Sequence, residues 1–147
     1  MYRTLLLVLV IALGINFRAE AEEQPVTYYI QLIRGTTQSA PQNSTWHAIG
    51  PRLSEQLSPV FRWNHYWEVD RKTASVERGK VKKIQLNKER TVEIELVKPT
   101  VSEIRLYLNG NLVRVSRQSI QSGISIMGGD RETDESWFVV VRRDKPS

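Results

Sequence analysis

A chain of 147 residues, 40% hydrophobic and 25% charged, with a formal net charge of +5 and no cysteine, has room for one domain around one core. The missing cysteine excludes disulfides, thiol nucleophiles and the lipid-bearing cysteine of a lipoprotein. The positive charge is too small and too spread out to argue for a nucleic-acid partner.

The chain begins with Arg3, runs apolar from Leu5 to Leu13, and reaches Ala19-Glu20-Ala21, the small-x-small form read by a signal peptidase. Residues 1–21 are therefore expected to be a secretory leader, since an apolar run of about ten residues is half of the ~20 needed to span a bilayer. Its removal takes away Arg3, Arg18 and Glu20 and lowers the formal charge from +5 to +4. Residues 22–147 then form a single β domain, periplasmic or extracellular, with no transmembrane span.

Val26 to Arg34 is rich in β-branched and aromatic residues and reads as a strand. Thr36 to Thr45 is a polar loop containing Asn43-Ser44-Thr45, formally an N-glycosylation acceptor. Pro51 suits the first turn of a helix, Leu53 and Leu57 are four apart, and Pro59 is expected to stop it. That short helix should lay Ile49, Leu53 and Leu57, with Trp46 beside them, across an open end of a sheet.

Phe61 to Asp70 alternates strictly. As a central strand it places Phe61, Trp63, His65, Trp67 and Val69 inward and Arg62, Asn64, Tyr66, Glu68 and Asp70 outward. Arg71 to Gly79 reads as a connection. Residues 71–90 hold eight basic and two acidic side chains, a pattern more typical of a solvated face than of a binding site.

A series of hairpins follows. Leu86 is expected opposite Val92, which sets Lys83 opposite Glu95. Asn109-Gly110 is the favoured two-residue hairpin turn, because both positions need positive φ. In that register Leu106 meets Val113, Ile104 meets Val115, and Arg105 faces Arg114; a slip that makes Gly110-Asn111 the turn keeps the same inner face and sets Tyr107 beside Arg114 instead. Ile124 to Met127 and Trp137 to Arg143 form the last hairpin around a glycine-rich acidic linker. The unbroken apolar run from Trp137 to Val141 implies a strand covered on both faces, or on one face with an edge contact, and residues 144–147 read as a mobile tail.

The fold expected is all-β, with seven or eight mainly antiparallel strands in a sandwich or flattened barrel and one short helix. His47 and His65 match no zinc spacing, and Asp130, Glu132, Asp134 and Glu135 do not follow the EF-hand order. No Gly-x-Ser-x-Gly elbow occurs. No cofactor and no metal is expected.

The function these features support is a non-catalytic binding module recognising a protein or cell-surface component, acidic or glycan, with no nucleic acid involved. Arg62, Tyr66, Lys82, Lys83, Arg105 and Arg114 are its candidate contacts, with Tyr66 the exposed aromatic of its strand. A carbohydrate-binding module using exposed Trp63, Trp67 or Tyr66 is the alternative, and a small hydrolase using His47 or His65 with a carboxylate is the third reading.

Overall fold

A computed structural model describes residues 23–121, 123–131 and 134–147. The expected leader, residues 1–21, lies outside them, as do two residues of the acidic linker. Among the described residues no helix is long and apolar enough to cross a membrane.

The described chain forms β1 (Val26–Thr36), β2 (His47–Ala48), α1 (Pro51–Phe61), β3 (His65–Val76), β4 (Val81–Gln85), β5 (Arg90–Lys98), β6 (Val101–Leu108), β7 (Asn111–Ser119), β8 (Ile124–Arg131) and β9 (Glu135–Arg142). A five-stranded sheet in the order β2-β3-β1-β9-β8 lies against a four-stranded sheet in the order β4-β5-β6-β7. All pairings are antiparallel. The expected sandwich is present, with the two-residue β2 added to eight longer strands.

The strand β1 sits in the middle of the larger sheet and buries both faces. Tyr28, Ile30 and Leu32 enter the core between the sheets with Val139, Val141 and Ile94. Ile33 points the other way, into a second core with Leu53, Leu57, Tyr66, Phe138 and Val140. The run from Trp137 to Val141 is thus covered on both sides, as its lack of alternation implies.

The second core is where α1 docks. The helix lies on the outer face of the five-stranded sheet, so the molecule has three layers, and the expected position across a sheet end is corrected. Pro51 opens α1 after Gly50. Pro59 does not stop the helix, which continues to Phe61 and ends at Arg62 in the left-handed region (φ 57°), where Arg62 N–H donates to Ser58 O at 3.2 Å. Phe61 packs edge-on against Phe138 with ring centroids 4.6 Å apart, fixing that last turn to the sheet.

Of four β-bulges among the described residues, one of them at Val97 in β5, three decide which residues face where. In β3 the pairing runs Leu32 with Asp70 but Ile33 with Glu68, so Val69 is the extra residue. In β7 it runs Tyr107 with Leu112 but Leu106 with Arg114, so Val113 is extra. In β8 the extra residue is Gly129, with φ 88° beneath the Phe61 ring. Only glycine holds that conformation easily inside a strand, and the expected glycine linker is therefore part of β8.

The Asn109-Gly110 turn forms as expected, with φ of 49° and 80°, yet the bulge after it changes the register. Ile104 meets Ser116 and Arg105 meets Val115, so Arg105 and Arg114 do not face each other and Val115 points outward. In the preceding hairpin Ile84, not Leu86, pairs with Val92, which puts Lys83 opposite Glu93. The inward face is unchanged because the shift is two residues.

Val113 is half-buried against the main core, whereas Val115 is 52% exposed. Val113→Ala should therefore cost about 1 kcal/mol and Val115→Ala less than about 0.5 kcal/mol, measured by urea denaturation. The straight register expected from the sequence turns both valines inward and gives them comparable costs.

Candidate functional site

The six residues expected to form one binding face are dispersed. Arg62 caps α1. Tyr66 is 7% exposed and lies under the helix, its hydroxyl accepting from Trp63 N–H at 3.2 Å. Its exposure is corrected: β3 begins at His65, and Tyr66 shares the helix side with Ile33. Lys82 pairs with Ile94 and Arg114 with Leu106, so both occupy core-facing positions at the two edges of the smaller sheet. Inward-pointing charges there discourage edge-to-edge pairing with other chains.

Arg105 and Lys83 do share the outer face of the four-stranded sheet. Arg105 donates to Glu93 at 3.2 Å, Glu95 at 3.1 Å and Glu103 at 2.8 Å, and Arg117 closes on Glu103 at 2.8 Å. Burial alone would lower the Arg105 guanidinium, but its bonds to the three carboxylates outweigh that and hold it above its usual value. What reads in sequence as a basic face is a compensated network.

A different cluster gathers where the larger sheet extends past the smaller one. By alternation from Leu32, Arg34 points to the four-stranded sheet's side, with Trp67 opposite it on β3 and Trp137 opposite it on β9. The Arg34 guanidinium lies 5.3 Å from the Trp46 ring centroid and 5.9 Å from that of Trp137, and Arg90 lies 5.0 Å from Trp137. Glu135 accepts from both Arg34 and Trp137 Nε1. His65 stacks on Trp67 at 5.2 Å and 17°, and Trp67 Nε1 donates to Gln38 O at 3.2 Å.

Three of the four tryptophans thus meet at one end of the sandwich, all half-buried. Trp46 stacks on Arg34 rather than under the helix. The fourth, Trp63, is on the other side of the sheet over Gly35, where an added methyl would come within 2.4 Å of Trp63 Cδ1. Sequence reasoning missed Arg34, Trp46, Trp137 and Arg90 as a set, because they come from a loop and three strands. The only sequence signal was the scarcity of tryptophan itself.

On the helix side a second polar group forms. Glu68, 6% exposed, accepts from Gln31 Nε2 and, at 2.8 and 3.0 Å, from Arg71 Nε and Nη2. The bulge at Val69 is what puts residues 68 and 71 on one face. Gln31 Oε1 is enclosed and meets no donor among the described residues. A cleft of about 470 Å³ opens beside this group, lined by His47, Ile49, Gly50, Glu68, Arg71 and Ser147.

His47 sits opposite Glu68, whose Oε2 accepts from Gln31 and Arg71 and whose Oε1 accepts from Arg71. Among the described residues no group of three or more His, Asp or Glu could hold a metal. Comparison of the chain with models of protein families, with curated proteins and with solved structures finds no match.

The hydrogen bonds from Arg117 and Arg105 hold Glu103 below the usual carboxylate range. A carboxylate depressed in the folded state stabilises it above the unfolded pKa and loses that contribution as pH falls through the folded value. Glu103→Gln should therefore be less stable than the natural chain at neutral pH, with the gap closing as the medium is acidified below the usual carboxylate range. Thermal melts across that window check it, and a gap independent of pH would contradict the network.

Proposed function

We propose that the chain is an exported, non-catalytic binding module that recognises a cell-surface glycan through the tryptophan end of its sandwich. The observation that carries this reading is the meeting of half-buried Trp46, Trp67 and Trp137 around Arg34, with Arg90 and His65 at the margin. Indole faces take the C–H face of a sugar ring, and guanidinium donors take its hydroxyl or carboxylate oxygens. The leader-like residues 1–21 support export. Glu68 is held by Gln31 and Arg71 rather than by His47, which favours binding over hydrolysis.

A second reading, recognition of a protein, is favoured by the outer face of the four-stranded sheet. There Val81, Leu112 and Val115 are each about half exposed around the neutralised cluster of Arg105. An exposed apolar rim of that kind is where protein partners dock.

The two readings separate in one series of measurements. Tryptophan fluorescence of the intact chain should shift on titration with neutral or uronic-acid oligosaccharides, and Trp46→Ala and Trp67→Ala should each weaken that response about tenfold or more, in line with about 1.4 kcal/mol. Silence toward every sugar tested, with capture of a protein partner abolished by Val115→Asp, would transfer the function to the sheet face.

A further inference from the structure

Residues 144–147, expected to be mobile, are seated on the protein. Asp144 is held by Arg142 Nε at 3.0 Å and by Arg52 Nη1 at 3.0 Å. Pro146 is buried. The outer edge of the Arg71 guanidinium, whose inner edge grips Glu68, donates to Pro146 O at 3.2 Å and Ser147 O at 3.3 Å. Gly50 gives Ser147 its room, since an added methyl there would come within 2.5 Å of the Ser147 hydroxyl.

These contacts define a groove that reads an extended peptide: a two-arginine clamp for a carboxylate, a slot for a proline two residues on, and a fork for main-chain oxygens. The segment seated in it is partly open to solvent. Lys145 and Ser147 remain exposed, and the Arg52 to Asp144 pair is open to solvent, a kind of contact worth little by itself. The cleft of about 470 Å³ beside His47 and Glu68, which Ser147 helps to line, adjoins the groove.

We propose that this groove is a docking site for an extended peptide with an acidic residue two positions before a proline, and that residues 144–147 are a strap occupying it until such a segment displaces them. The strap competes at the effective concentration of a tethered segment, on the order of millimolar. A partner must therefore gain contacts in the open cleft that the strap does not make.

The test uses the full chain and a fluorescein-labelled peptide of residues 143–147, followed by anisotropy. The double variant Asp144→Ala with Pro146→Gly loosens the strap and leaves the groove intact. It should bind the peptide about tenfold or more tighter than the natural chain does, by the removal of the tethered competitor. Adding Arg52→Ala should weaken that binding, and a peptide lacking the aspartate and the proline should not bind.

Equal binding by the natural and loosened chains would overturn the proposal. So would no binding by a loosened chain whose circular dichroism and melt match the natural one. If the double variant does not fold, Asp144→Asn alone decides: a smaller gain in peptide binding supports the strap, and no gain overturns it. Oligosaccharide response at the tryptophan end is independent of each of these outcomes.

Discussion

The constraint on which the rest of the structure depends is that β1 must be buried on both faces. Leu32 and Ile33 are adjacent in sequence and point to opposite sides of the sheet, 1% and 0% exposed. One layer cannot cover both. The four-stranded sheet shields the side of Leu32, and α1 shields the side of Ile33, so a two-layer sandwich acquires a third layer. At roughly 25 cal/mol per Å² of apolar surface, leaving either side open would forfeit several kcal/mol, a large share of a domain's net stability.

How much of this the sequence reveals follows from what alternation can and cannot encode. The strand from Trp137 to Val141 was readable because a doubly covered strand has no polar face. The Asn109-Gly110 turn was readable because its backbone requirement is local, and Leu53 and Leu57 because a helix repeats. β3 was misread twice. Its first residues belong to α1 and the connection after it, so the alternation begun at Phe61 was carried across a break. The bulge at Val69 then reversed the phase again for Asp70 and beyond. A single extra residue inverts every side chain that follows, and nothing in the composition of Glu68-Val69-Asp70 announces it.

The candidate site was less legible than the fold for a related reason. Basic residues look alike in sequence whether they are edge guards, ion-pair centres or stacking partners. Lys82 and Arg114 stand at sheet edges, Arg105 is enclosed by three carboxylates, and Arg34, which drew no notice, lies between two indoles. Only cross-strand register tells them apart. Stacked guanidiniums contribute about 0.5 to 2 kcal/mol each depending on their exposure to water, more than the solvent-facing pairs, so the Arg34 and Arg90 stacks weigh more in the order of that end than the lysine-rich run does.

The tryptophan end and the cleft beside Glu68 are also close in the fold. β2 has two residues, and each looks to a different side: His47 lies opposite Glu68, beside the strap, and Ala48 lies opposite Trp67, at the tryptophan end. Along β1 the residues opposite Glu68 and Trp67 are Ile33 and Arg34. The sheet that separates the surfaces is one strand thick, and its outermost member is the shortest in the molecule. Short edge strands are the least protected part of a sheet and the first to open locally. His47 and Ala48 thus sit on opposite faces of the shortest strand among the described residues.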